Sequence, residues 1–107
     1  MKLPNVLQSL VKAQNDLDSK AYVKCFTAAA VVHDEGKTHA GAAEIRQWIE
    51  QANSEYQSFM KPLNYEEIES KGILTAEVSG TFPGSPAVLQ FHVVLEGDLI
   101  TYLKVTG

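Results

Sequence analysis

Val31-Val32-His33-Asp34-Glu35-Gly36, followed by Gly41-Ala42-Ala43-Glu44-Ile45-Arg46-Gln47-Trp48, decides how this chain folds. The first run is short and β-branched, and it reads as a strand from Ala30 to Asp34 closed by a turn at Glu35-Gly36-Lys37. The second opens the strongest helical period in the sequence, because Ile45, Trp48, Ile49, Ala52, Tyr56 and Phe59 recur every three or four residues. Gly41 can cap that helix, and Glu44 in its first turn is where the helix dipole favours a negative charge. A carboxylate therefore ends a strand shortly before a long helix, and Trp48 follows about two turns into that helix.

Upstream, Val6, Leu7, Leu10, Val11 and Leu17 repeat at helical spacing after Pro4, a residue tolerated in a first turn, so a first helix is expected to run to about Leu17. Asp18 then reads as the cap of a short second helix with Tyr22, Val23 and Phe26 on its apolar face. Downstream of Pro62 the texture changes to strand, over Leu63 to Glu69, Ile73 to Thr81, Ala87 to Leu95 and Leu99 to Val105. Turn signals at Lys71-Gly72, Pro83-Gly84-Ser85-Pro86 and Glu96-Gly97-Asp98 separate these runs and make an antiparallel meander. The fold class is α+β, with three N-terminal helices packed on a curved, mostly antiparallel sheet. A sheet wrapped around a helix bearing Trp48, Tyr56 and Phe59 leaves a conical cavity at its open end.

A chain of 107 residues supports one domain, residues 1–107, with one core. The net charge of −4, with basic residues scattered, offers no positive stripe for phosphates, so nucleic acid is not an expected partner. No apolar stretch reads as a signal segment or a membrane span, which excludes a membrane partner on this reading. The single cysteine, Cys25, cannot form an internal disulfide and fits a reducing, cytoplasmic setting. Its apolar neighbours suggest a packed, inert thiol.

His33, His39 and His92 invite a metal reading with Asp34 and Glu35. The spacing opposes it, since neighbours on a strand face opposite ways and no two histidines share helical four-residue spacing. No metal or cofactor is expected. His92 belongs on the outer sheet face, opposite Leu89, Phe91, Val93 and Leu95. Glu66, Glu67 and Glu69 read as a solvated strand edge, and Arg46 as a structural ion pair or a cap contact at the helix base.

The order helix, helix, Phe26-Thr27-Ala28-Ala29-Ala30-Val31-Val32-His33-Asp34, then Gly41 to Trp48, then Val78-Ser79-Gly80-Thr81-Phe82-Pro83-Gly84-Ser85-Pro86, resembles the nuclear transport factor 2-like superfamily over nearly the whole chain. Its SnoaL-like branch is similar to ketosteroid isomerase. The resemblance implies a cone-shaped, barrel-like α+β domain, a homodimer and an interior pocket. By residue order Asp34 falls on the aspartate that serves the isomerase as general base, and a carboxylate at an apolar cavity mouth has its charged form disfavoured. The alternative is a turn residue bonded to the Glu35-Gly36-Lys37 backbone. The isomerase's two oxyanion donors map onto Leu10 and Phe91, neither of which can donate, so steroid isomerisation is disfavoured. The epoxide hydrolases of the superfamily need aspartates clustered with an arginine, and Arg46 alone does not supply that site.

Asp34 is thus the candidate acid/base, and Trp48, Phe91, Tyr56, Leu10 and Phe26 are the candidate ligand contacts. Three functions are compatible with these residues: an isomerase or polyketide-cyclase-like enzyme acting on a small hydrophobic carbonyl compound, a non-catalytic pocket for a small apolar ligand, and a dimeric scaffold. A homodimer through the outer sheet face is expected, because Leu99, Ile100, Tyr102, Leu103 and Val105 place apolar groups on both faces of the last strand.

Overall fold

A computed structural model describes residues 2–107. In chain order the elements are α1 (Asn5–Asn15), α2 (Ser19–Val23), β1 (Phe26–Asp34), β2 (Lys37–Ala40), α3 (Ala42–Tyr56), β3 (Phe59–Ile68), β4 (Lys71–Ser79), β5 (Ala87–Glu96) and β6 (Leu99–Thr106). The strands form one six-stranded sheet in the order β2-β1-β6-β5-β4-β3. The β1–β6 pair is parallel and every other neighbouring pair is antiparallel. The mixed α+β class and the largely antiparallel sheet agree with the sequence reading.

Among the described residues there are three helices in the expected order, with the strand ending at Asp34 between the second and the third; the addition is β2, which makes that strand half of a hairpin between α2 and α3. Lys37–Ala40 carries no apolar alternation and was expected only as turn and loop. It becomes a strand because Glu35 (φ 52°) and Gly36 (φ 75°) both take left-handed backbone, giving a two-residue turn that sets Asp34 opposite Lys37. Phe26 belongs to the start of β1, not to the face of α2.

α1 stops at Asn15 rather than near Leu17. The Asp18 N–H reaches the Ala13 carbonyl (2.8 Å) and the Leu17 N–H reaches Gln14 (3.0 Å), the paired bonds of a Schellman end with Leu17 at φ 53°. α3 ends at Tyr56 because Gln57 turns left-handed, at φ 48°. Phe59 therefore opens β3 and is 53% exposed instead of extending the helix face. β3 is an edge strand, which is where Pro62 is tolerated, and the β3–β4 register shifts just after it, between Pro62 and Asn64. The β3–β4 turn falls at Glu69-Ser70, so Lys71-Gly72 lies inside β4.

β4 shows the cleanest alternation, with Gly72, Leu74, Ala76 and Val78 buried on one face. That face joins Leu7 and Leu10 of α1, Tyr22 of α2, Ile45 and Ile49 of α3, and Ile100 and Leu103 of β6 in a single core. Among the described residues no helix is long and apolar enough to cross a membrane.

Candidate active site

Asp34 is the last residue of β1, and the hairpin turn begins immediately after it. Trp48 lies two turns into α3, and its indole Nε1–H donates to Asp34 Oδ2 at 3.2 Å. This is the only hydrogen bond of the Asp34 side chain among the described residues, so the carboxylate does not brace the Glu35-Gly36-Lys37 backbone and Oδ1 has no partner. Two rings also pack on the indole: Tyr22 meets it edge-on at 6.0 Å and His39 stacks on it at 5.7 Å. Both residues of the Asp34–Trp48 pair are half-buried.

The pair lines a cavity of about 580 Å³ between α3 and the inner face of the sheet. Its walls are mainly apolar, from Ile49, Ala52, Met60, Phe82, Leu89 and Phe91. Of the residues expected at the site, the structure brings Asp34, Trp48, Tyr56 and Phe91 to this cavity. Leu10 and Phe26 do not reach it. Leu10 is fully buried in the interior, and the strand placement of Phe26 turns its ring into the core, 6% exposed, against Tyr22 at 5.7 Å. These two positions are corrected from ligand contacts to packing residues.

Two buried polar residues of the cavity, Tyr22 and Gln14, were not singled out from sequence. Tyr22 is 2% exposed, yet it lines the cavity and its hydroxyl has no hydrogen-bond partner among the described residues. Among the described residues no fully enclosed side-chain polar atom lacks a partner, so this hydroxyl opens onto the cavity space. Burial pushes the phenol pKa well above its ordinary value, and the neighbouring Cys25 and Asp34 push it further. A phenol so placed stays protonated and can donate. Gln14 is the second: its Nε2 donates to Asn53 Oδ1 and to the Ser58 carbonyl, both at 3.1 Å, and Asn53 Nδ2 continues to Ser19 Oγ at 3.2 Å. This chain locks α1, α2 and α3 together behind the cavity. The available signal was a polar residue on the apolar face of α1, one turn after Leu10.

Near the mouth, the Tyr56 and Phe82 rings meet edge-to-face at 6.0 Å. The Tyr56 phenol is raised chiefly by the negative charge of Glu35, then Glu55. Arg46 pairs with Glu50 at 2.6 Å on the exposed side of α3, away from the cavity. Cys25 is buried, which raises its thiol pKa and keeps it protonated. His92 lies on the outer face against Thr106 Oγ1 at 3.0 Å, and His33 packs on Tyr102 at 5.3 Å. Among the described residues no group of three or more His, Cys, Asp or Glu side chains could hold a metal ion.

A solved structure from Sinorhizobium meliloti, provisionally assigned as a polyketide cyclase, is 31% identical and superposes with a TM-score of 0.93, covering 97% of this chain and 95% of its own. A protein of ketosteroid isomerase-like fold from Catenulispora acidiphila, solved with trimethylamine, is 16% identical with a TM-score of 0.88 over 99% of this chain and 87% of its own. A nuclear transport factor 2-like protein from Cytophaga hutchinsonii is 15% identical with a TM-score of 0.80, over 95% and 86%. No protein-family model matches the sequence, and no curated protein matches it. The chain belongs to the nuclear transport factor 2-like superfamily, in its SnoaL-like branch.

Proposed function

We propose that this protein is a small-molecule enzyme of the SnoaL-like kind, acting as an isomerase or cyclase on a small hydrophobic carbonyl compound held in a cone-shaped cavity. The observation that carries the reading is the Asp34 carboxylate, anchored through Oδ2 by Trp48 and leaving Oδ1 free toward an apolar space. A base fixed in this way can remove a proton alpha to a carbonyl without first reorienting. The missing isomerase donors at Leu10 and Phe91 left the developing enolate unsupported. The unpartnered Tyr22 hydroxyl supplies one donor from a different element, because a neutral phenol can hydrogen-bond the oxygen on which negative charge collects. Phe91 and Tyr56 then act as apolar walls. The provisional assignment of the S. meliloti protein supports the carbonyl class.

The test is solvent deuterium exchange at the alpha carbon of a panel of cyclic ketones and 1,3-diketones, followed by NMR. The expected result is exchange above background that falls by about 10²–10⁴-fold in Asp34→Asn, the usual contribution of a general base. Exchange equal in the two proteins would remove Asp34 from the chemistry. The bond from Trp48 equally suits a non-catalytic pocket in which Asp34 orients a ligand; that reading predicts ligand binding with no exchange.

We also propose a homodimer through the outer sheet face, in a cytoplasmic protein. An open cleft of about 600 Å³ on that face is lined by Ile68, Ile73, Val94 and Tyr102 together with His92, and Ile68 is 79% exposed. Apolar groups on a face that a solitary sheet would fill with polar ones favour a covering second copy.

A further inference from the structure

We infer that the cavity selects an organic cation: a protonated or quaternary amine with a small apolar body, its charge seated between Asp34 and Glu35 and against the rings of Trp48 and Tyr56. This rests on the small-molecule reading above and names the charge of what enters. Among the described residues the cavity lining contains two carboxylate side chains, Asp34 and Glu35, and no lysine, arginine or histidine side chain. An anionic ligand would meet both carboxylates with no counter-charge, in a space whose apolar walls screen poorly.

A cluster of carboxylates could be nothing more than a solvated rim. Here a buried polar group also waits for a partner. The Tyr22 hydroxyl, on a side chain 2% exposed, opens onto the cavity with no hydrogen-bond partner among the described residues. Asp34 Oδ1 is likewise unpartnered, since Trp48 engages only Oδ2. A protonated amine can donate an N–H to these oxygens, and a quaternary one, which has no N–H, is held by their negative potential alone; the π-systems of Trp48 and Tyr56 attract either charge.

The field at the mouth has the matching sign. Glu35, Glu55 and Asp34 all hold the Tyr56 phenol in its protonated form. The adjoining rim cleft repeats Asp34, Glu35, Trp48 and Tyr56 and adds Glu55, with Lys37 and His39 as its only groups of opposite tendency. Apolar surface deeper in, from Met60, Leu89 and Phe91, takes the uncharged part of the ligand.

Three probes of nearly equal shape test the inference on the intact protein: choline, the neutral isostere 3,3-dimethyl-1-butanol, and the anion 3,3-dimethylbutanoate. Binding is read from the emission of Trp48, the only tryptophan, and by calorimetry. Choline is expected to bind roughly tenfold or more tightly than the alcohol, and the anion not to saturate. Glu35→Gln and Asp34→Asn are each expected to weaken choline several-fold more than they weaken the alcohol. Glu35 is exposed, so its variant folds even where the Asp34 variant does not. Equal affinity for choline and the alcohol, saturable binding of the anion, or no choline binding at millimolar concentration each overturns the inference. Ketone proton exchange that depends on Asp34 in a protein without charge preference would leave the enzyme reading standing and this one refuted.

Discussion

On the proposed reading Asp34 links fold and chemistry in one side chain: Trp48 holds Oδ2, and Oδ1 is left for the ligand. Asp34→Asn retains an oxygen that can accept from Trp48, so stability is expected to change by less than about 1 kcal/mol while exchange activity is lost. Asp34→Ala leaves the half-buried indole N–H without a partner and is expected to cost about 1 kcal/mol by urea denaturation. Tyr22 carries a pH signature. Its phenol is raised above the ordinary value of 10.0 in the folded protein, so the folded state holds this proton more tightly than the unfolded state does. The stabilisation is complete below pH 10 and fades as pH rises toward the folded value, at up to about 1.4 kcal/mol per pH unit. Tyr65, raised to about 12 by burial and by Glu67, adds to the same alkaline slope. Tyr22→Phe is therefore expected to flatten the fall in urea midpoint between pH 9 and 11 without abolishing it, and an unchanged slope would contradict the placement of the phenol.

At the scale of elements, the β1–β2 hairpin positions Asp34. Its turn places Glu35 at φ 52°, a conformation that asparagine or glycine adopts more readily than glutamate. Glu35→Asn is expected to stabilise the protein by about 0.5 kcal/mol in thermal unfolding through better turn geometry, while weakening choline. A stability gain joined to a binding loss is the pattern of a residue kept for the site rather than for the turn. Behind the cavity, the Gln14–Asn53–Ser19 chain fastens three helices that share little else than apolar contact. Gln14→Leu strands the Asn53 carbonyl and the Ser58 carbonyl, and a loss of about 1–3 kcal/mol is expected by urea denaturation.

For the whole molecule, the two faces of one sheet divide the work. The inner face and α3 enclose the cavity, and the outer face carries the exposed apolar cleft around Ile68 and Tyr102. Sedimentation equilibrium at micromolar concentration is expected to return twice the chain mass of 11.7 kDa, and Ile68→Lys to shift it toward the single mass without loss of helical signal. A wild-type mass near 11.7 kDa would remove the dimer. Trp48 reports on the other face: acrylamide is expected to quench it in the native protein, because it borders the cavity and is only half-buried.

Sequence alone determined the α+β class, the long helix bearing Trp48 and the strand that ends at Asp34, because these depend on local periodicity and turn chemistry written within a few residues. The resemblance carried by the Phe26–Trp48 order pointed to Asp34, which lines the cavity. Element ends were less legible. Leu17 and Gln57 stop their helices by taking left-handed backbone that their residue types do not advertise, and Lys37–Ala40 becomes a strand only because β1 lies beside it. The parallel pairing of β1 with β6 joins segments some seventy residues apart, for which no local pattern exists. The same holds for the site. Tyr22 on an apolar helix face reads as core, and only the packing of α2 against Trp48 decides that its ring is buried while its hydroxyl opens onto the space shared with Asp34.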